Sequence, residues 1–448
     1  MVEPSVQSRR KPVLGCIADD VTGATDLALN LVQGGICVVQ VLGVPTAQQL
    51  AAVDADAIVI ALKTRSIEKE HAISQSLASL SALAQLGIDR FFFKYCSTFD
   101  STTRGNIGPV AEALMNALNV GQTIFCPAFP RNGRTVYQGH LFVDDRLLSE
   151  SGMENHPLNP MTDSNLVRWL RLQTNGEVGL LASMDLAAAP TIRDRLAQLA
   201  ESGVGLVVAD GCSDADLIQI AQAVCDERLV TGGSAIARYL PDAYRQSGRL
   251  DSTAYQPTLP DVVGRSLILS GSCSTATNRQ VAWMKSRCPA WKIDVSTVCE
   301  SPDGALRKVL DWARAAEENQ PLLIYSTSEP ESVARMQEKF GGEVVAQKIE
   351  HFMGAIAKAL VDELGVRKLV LAGGETSGAV VEALGIESLR IGPEICAGVP
   401  WTESQQTESQ RAESQGRENS GINRLALALK SGNFGDERFF ATALEMLP

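Results

Sequence analysis

The chain has 448 residues, 45% hydrophobic and 21% charged, a composition that suits two or three globular domains with full cores. Its formal net charge of −12 argues against the basic face a nucleic-acid binder needs, while leaving room for a local basic pocket that holds a small anion. The 10 cysteines include no C-x-x-C pair and sit mostly in apolar surroundings, which points to free thiols in a reducing cytoplasm rather than a disulfide framework or a zinc site.

The first eleven residues are polar and end in Arg9-Arg10-Lys11, so 1–11 is expected to be a flexible tail. The apolar run after them is too short for a signal peptide, and no stretch is long enough to span a membrane. Val13 to Ala18 reads as a buried strand that stops at two adjacent carboxylates, Asp19 and Asp20. Thr22 and Gly23 then open a stretch, Ala24 to Val32, with apolar residues at helical spacing. Strands are expected at 36–42, 57–62, 90–95 and 122–126, and helices at 68–86 and 109–118. This alternation predicts a mainly parallel sheet with helices on both faces. Residues 139–143 follow a Gly/Asn turn and read as part of a hairpin. A Pro- and Asn-rich loop, 151–160, leads to a helix near 165–173. A βα run continues through 205–210, a helix near 215–225, and 229–233.

Residues 249–262 are polar, contain Pro257 and Pro260 and lack periodicity, which places a linker between domains at 12–248 and 263–448. The second domain is expected to have strands at 266–269, 322–325 and 368–371. Its helices are expected at 275–285, 304–316, 331–339 and 347–364. Residues 402–420 carry a five-residue repeat centred on Glu-Ser-Gln, with nothing more apolar than Ala412. Such a segment cannot bury a core and reads as a disordered insertion in a surface loop. Apolar order resumes at Leu425. The predicted architecture is two α/β domains with mainly parallel sheets and a ligand cleft between them.

Five stretches at predicted strand ends could carry chemistry, since loops at the carboxyl edge of such sheets are where ligands bind. Asp19 and Asp20 repel each other, and a fold keeps them together more readily where a proton, a metal or a cationic ligand is shared; the alternative is that they only cap the following helix, with Thr22 helping. The second stretch, 93–108, packs Lys94, Asp100, Arg104, Asn106 and several hydroxyls between a strand and a helix; the hydroxyls, Asn106 and the guanidinium suit a polyhydroxy carboxylate. The third, Pro127-Ala-Phe-Pro-Arg131-Asn-Gly-Arg134, offers two cations, and the nearby loop carries His156. The fourth and fifth are Ser270-Gly-Ser-Cys-Ser274 and Ala372-Gly373-Gly374-Glu375-Thr376-Ser377-Gly378, small-residue turns that let backbone amides approach a phosphate. Ser431-Gly432-Asn-Phe-Gly435 adds a third such loop. There is no G-x-x-x-x-G-K-[ST], no G-x-G-x-x-G, no H-R-D and no H-E-x-x-H, which excludes the Walker-type and protein-kinase solutions to nucleotide binding. No metal-ligand set is legible.

Together these stretches resemble the four-carbon acid sugar kinase family. ADDVTGATD at 18–26, KYCSTFDSTTRGNIGPV at 94–110, CPAFPRNGRTVYQGHLFV at 126–143, SGMENHPLNPM at 151–161, LSGSCSTATNRQV at 269–281, LAGGETSGAVV at 371–381 and ALKSGNFG at 428–435 are similar to the family's motifs, in order, over nearly the whole chain. The 94–110 and 151–161 stretches look most like the 3-oxo-tetronate kinases among them. The resemblance implies ATP-dependent phosphorylation of the C4 hydroxyl of a 3-oxo-tetronate, an N-terminal domain for the acid sugar and a C-terminal domain for ATP. It carries the ATP contacts onto Ser270, Gly373, Gly374, Glu375, Thr376 and Gly432. General phosphoryl-transfer chemistry adds Mg²⁺ on the triphosphate and a proton acceptor, for which residue type suggests Asp20, with Asp19 in reserve. Residue type likewise suggests Lys94, Arg104 and Arg134 for the substrate carboxylate. A kinase acting on threonate or erythronate, or a sugar-acid sensor without turnover, would share most of these features.

Overall fold

The computed structural model describes residues 10–51, 53–155, 159–326, 342–405 and 424–447. It divides into two compact units, Met1–Gln256 and Pro257–Pro448. In the first, the expected apolar runs form β1 (Leu14–Ala18), β2 (Val38–Leu42), β3 (Ala57–Ala61), β4 (Phe91–Lys94) and β5 (Thr123–Cys126). The strands β6 (Arg134–Tyr137), β7 (His140–Val143) and β8 (Arg146–Leu147) form a small antiparallel sheet of their own. The remainder are β9 (Glu177–Leu181), β10 (Val204–Ala209) and β11 (Leu229–Gly232). The main sheet of this unit runs β2-β3-β1-β4-β11-β5-β10-β9, with all neighbours parallel. Every residue of β1 and β3 is buried, as expected for strands covered on both faces.

The strand β9 and the helix Ala189–Glu201 after it are absent from the sequence reading. The reason is local: β9 is an edge strand containing Glu177 and Gly179, so it lacks the apolar run of a central strand. At the other end of the chain order, Arg10 forms an ion pair with Asp56 at 2.9 Å and donates its backbone N–H to Asp54. The stretch read as a tail is therefore anchored at its tenth residue.

The second unit contains β12 (Arg265–Ser270), β13 (Ala290–Lys292), β14 (Leu322–Tyr325), β15 (Val366–Ala372), β16 (Ser388–Cys396), β17 (Val399–Ser404) and β18 (Ala426–Lys430). Within it the order is β13-β14-β12-β15-β18-β17-β16. The first five are parallel, and β17 and β16 turn antiparallel. Trp401, wholly buried, donates its indole N–H to the Ala443 carbonyl at 3.0 Å and packs with Phe439, Phe440 and Val370 in this unit's core. The low-complexity assignment of 402–420 needs correction at its start. Thr402, Glu403 and Ser404 belong to β17, and Thr402 is buried with its hydroxyl on the Leu427 carbonyl. Partnership with β18 outweighs the polar composition here, because the ladder satisfies the backbone whatever the side chains are. The expected helix at 331–339 and most of the repeat lie outside the described residues.

Both units share the strand order second-third-first-fourth. Each therefore reverses direction beside its own first strand, between β1 and β4 in one and between β12 and β15 in the other. At such a reversal the two loops diverge and leave a crevice beyond the strand ends.

Candidate functional site

In the first unit the crevice beside β1 holds a compact cluster of charge. Asp19 is the residue after β1, and its backbone is fixed on both sides. Its N–H donates to the Lys94 carbonyl at 3.1 Å, and its carbonyl accepts from Thr64 and Arg65 at 2.9 and 3.2 Å. Its carboxylate takes a two-pronged contact from Arg65, Nε to Oδ2 and Nη2 to Oδ1, both 2.9 Å. Arg65 Nη2 also reaches Asp20 Oδ1 at 2.5 Å, and Lys94 Nζ lies 3.2 Å from the same oxygen. Asp20 Oδ2 accepts from the Gly23 amide at 2.9 Å and the Thr22 hydroxyl at 2.8 Å. Asp20 is thus the cap of the helix Val21–Gln33 and a member of the cluster at once. Gly23 is required at its place, since a Cβ there would strike Lys94 Nζ and Asp20 Oδ1.

The two adjacent carboxylates are driven apart in acidity. Burial would raise Asp20, but Lys94 and Arg65, with the hydrogen bonds from Gly23 and Thr22, outweigh it and hold the carboxyl far below the usual range. Asp19 moves up: burial dominates the opposing pull of Arg65, and the neighbouring charge of Asp20 adds to it. Burial would depress Lys94, but Asp20 and then Asp19 raise it above its ordinary value. At neutral pH Asp20 and Lys94 are therefore an ionised pair.

The structure brings Asp19, Asp20, Lys94 and Asp100 together, with Arg65 as the hub that sequence reasoning missed. Asp100 Oδ2 lies 3.6 Å from Arg65 Nη1, and Asp100 Oδ1 is buried without a hydrogen-bond partner. The available signal was position: Arg65 follows β3, whose carboxyl end lies beside that of β1. Asn106 supports the cluster from behind. Its side-chain nitrogen holds the carbonyls of Thr64 at 2.8 Å and Ile67 at 2.9 Å, which leaves its oxygen for any further partner. Arg104 is exposed. Arg134 donates to the Asn132 carbonyl within its own turn. His156 lies outside the described residues.

In the second unit the three small-residue loops, far apart in sequence, meet at one edge. Ser270 pairs with Ala372 and Ala372 with Lys430 in the parallel ladder β12-β15-β18, so all three strands stop at one level. The loops are stitched together: Gly271 and Ser272 donate their amides to the Ala372 carbonyl at 3.0 and 3.1 Å, and Gly373 donates to the Lys430 carbonyl at 2.8 Å. Gly373 has φ +125, a conformation that side chains resist, and it precedes the helix Gly374–Ala383. Thr376 is buried against Gly271, where a Cβ would strike its hydroxyl. Gly374 and Glu375 are exposed at the mouth. The first amides of that helix, those of Gly374, Glu375 and Thr376, precede its first internal hydrogen bond, from Ser377 to the Gly373 carbonyl; amides at such a strand-to-helix turn are the arrangement that receives phosphate, so these residues fit a nucleotide. Among the described residues, no group of three or more His, Cys, Asp or Glu is placed to hold a metal ion. No described helix is long and apolar enough to cross a membrane.

Comparison with known proteins assigns a domain to each unit. Residues 14–240 match a sugar-binding N-terminal domain and residues 267–440 a nucleotide-binding C-terminal domain. A 3-oxo-tetronate kinase of Pseudomonas fluorescens is 49% identical over 443 residues, covering 98% of both chains. One from Burkholderia multivorans is 48% identical over 441 residues, again covering 98% of both. A solved structure from Salmonella typhimurium LT2 superposes with a TM-score of 0.84 at 40% identity, covering 96% of this chain and 98% of that one. With both domains matched in order and relatives this similar from end to end, the chain belongs to the four-carbon acid sugar kinase family.

Proposed function

We propose that this chain is an ATP-dependent kinase that transfers a phosphoryl group to the C4 hydroxyl of a 3-oxo-tetronate, giving the 4-phosphate. The observation that carries the reading is the kinase name borne by relatives that match both domains over 98% of their length. The charged crevice of the first unit and the triple glycine edge of the second support it. The acid sugar binds in the first unit, with Lys94, Arg104 and Arg134 as the cations offered to its carboxylate and Asp100, Asn106 and His156 as partners for its other oxygens. Ser270, Gly373, Gly374, Glu375, Thr376 and Gly432 hold ATP in the second. Mg²⁺ would neutralise the triphosphate oxygens, and it would come bound to the nucleotide, since no carboxylate cage awaits it among the described residues. The 10 free thiols suit a reducing cytoplasm.

In this reading Asp20 accepts the hydrogen of the C4 hydroxyl. A carboxylate so strongly held ionised is a weak base, yet it is always available as an acceptor. Phosphoryl transfer asks mostly for positioning and charge stabilisation, with little covalent work from the protein. Lys94 beside it keeps the ionised form in place, and Asp19, locked to Arg65, fixes the geometry of both. A ketone at C3 accepts hydrogen bonds and cannot donate, so a donor such as Lys94 or His156 aimed there favours the 3-oxo acid, whereas Asn106, whose side-chain nitrogen is taken up by backbone carbonyls, offers only an acceptor. A C3 hydroxyl would keep its own proton unsatisfied, a mismatch of about 1–3 kcal/mol. We expect kcat/KM for 3-oxo-tetronate to exceed that for threonate and erythronate by about tenfold or more. Coupled ATP consumption with each acid at matched concentration is the measurement. Threonate or erythronate used as well would move the substrate within the family, and no acid-dependent ATP consumption would reduce the protein to a binder.

A further inference from the structure

The loop after β18 is held from beneath by side chains that the nucleotide reading does not itself use. Lys430, the last residue of β18, is fully buried. Its ammonium donates to Thr277 Oγ1 at 3.0 Å and to the carbonyls of Ser431 at 3.0 Å and Gly432 at 2.9 Å. Ser274 and Thr277 hydroxyls donate to the same Gly432 carbonyl at 2.6 and 2.8 Å. Gln280 Nε2 holds the carbonyls of Phe434, Gly435 and Asp436 at 2.9, 3.1 and 2.9 Å. Four side chains therefore turn the carbonyls of this loop toward the body of the unit. In a planar trans peptide the following N–H points the opposite way, so the amides of Gly432 and Asn433 face outward. Neither makes a hydrogen bond among the described residues. Gly432 also has no room for a Cβ, which would lie 2.5 Å from Ser272 Oγ.

We propose that Lys430 is a positioning residue of the nucleotide site, fixing the Ser431 and Gly432 carbonyls so that the Gly432 and Asn433 amides meet a phosphate, and that nucleotide affinity follows its protonation. The inference rests on the nucleotide-binding reading of this unit. An ammonium has three hydrogens and here meets three oxygens; the neutral amine has two, and its lone pair would face one of those oxygens. Burial pushes Lys430 down to about 8. The groups facing it are few. The thiol of Cys396 on β16 acts on it and is itself pushed up to about 11, mainly by burial; Glu394 and, less, Asp436 act on that thiol, and the Phe439 ring lies 5.8 Å from Nζ.

The test is calorimetric titration of the full chain with the Mg²⁺ complex of the β,γ-imido analogue of ATP, between about pH 7 and about pH 9.5, on either side of the titration. Wild-type affinity is expected to fall about tenfold across that range, the effect of losing one hydrogen bond from a charged group. Lys430→Met should bind about tenfold more weakly at neutral pH and show no such fall. Thr277→Val, which keeps the lysine and removes one of its three oxygens, should shift the fall to lower pH. A Lys430→Met protein that binds as wild type does, or one whose affinity still falls with the wild-type midpoint, overturns the proposal. If Lys430→Met does not fold, an unchanged midpoint in Thr277→Val does so. Wild type that fails to bind the analogue at neutral pH would instead remove the nucleotide reading itself, and this proposal with it.

Discussion

Asp20 serves two purposes that one substitution can separate. Asn caps a helix about as well as Asp, so Asp20→Asn keeps the acceptor for Gly23 and Thr22, removes the charge and puts an NH2 where Arg65 and Lys94 now donate. The buried Lys94 ammonium, 3.2 Å away, then loses its nearest counter-charge, and breaking such a pair costs about 3–5 kcal/mol. We expect turnover to drop by about 10²–10⁴-fold, with the nucleotide analogue bound almost as tightly as before. Steady-state kinetics, calorimetry and urea unfolding on one preparation check all three. Wild-type turnover would leave Asp20 as a helix cap alone. Arg65 illustrates what residue type conceals: in the sequence it is one arginine in Lys63-Thr-Arg-Ser66, and only its contacts with Asp19, Asp20 and Asp100 make it the hub.

The strands differ in legibility according to what surrounds them. Central parallel strands such as β1, β3 and β12 are buried runs, legible because both faces are covered. The strand β16 includes Gly392 and Pro393 and shifts register between Ile391 and Glu394, an irregularity of the kind at which a strand accommodates such residues, so it lacks the sequence pattern of a regular strand. The antiparallel pair β17 and β18 has Glu403 opposite Ala426, and Ser404 N–H donates to the Leu425 carbonyl. The repeat therefore joins two neighbouring strands as a hairpin connection. Deleting 406–420 leaves Gln405, Gly421, Ile422, Asn423 and Arg424 as the link, within the common hairpin range of about two to five residues. The melting temperature is expected to stay within about 2 °C, because closure entropy changes slowly with loop length. A large fall, measured by differential scanning calorimetry, would mean that the repeat contributes packing.

At the scale of the molecule, each unit contributes a buried charge whose shift makes stability depend on pH. In the first unit Asp20 has a folded pKa below its unfolded one, so its contribution is present above about pH 4 and is lost as pH falls below that. Asp19 is raised and opposes it over the window just above its ordinary value. In the second unit Lys430 is lowered from 10.5 to about 8. There the unfolded chain binds the extra proton, so Lys430 by itself adds ligand-free stability as pH climbs from about 8 to about 10.5, while nucleotide affinity falls; the buried thiols of Cys16, Cys126, Cys288 and Cys396, raised by burial, take stability away above about pH 9. Urea unfolding from acid to alkaline pH should show Asp20→Asn flattening the acid limb and Lys430→Met, which removes a contribution that offsets the thiols, steepening the alkaline fall. An acid limb that survives in Asp20→Asn would assign it to other carboxylates.

By itself the sequence determined the α/β class, the two-domain layout, the central strands and the family, because those rest on periodicity and on contiguous motifs that local chemistry makes recognisable. It also marked the loops at which the candidate residues lie. Only the tertiary structure decided that β12, β15 and β18 end at one level, that Arg65 ties three carboxylates together, that Asp19 and Asp20 move in opposite directions in acidity, and that Lys430 grips the last glycine loop. The physical reason is the same in each case. Strand order, burial and charge pairing arise between residues distant in the chain, and an isolated stretch of sequence carries no record of its neighbours in space.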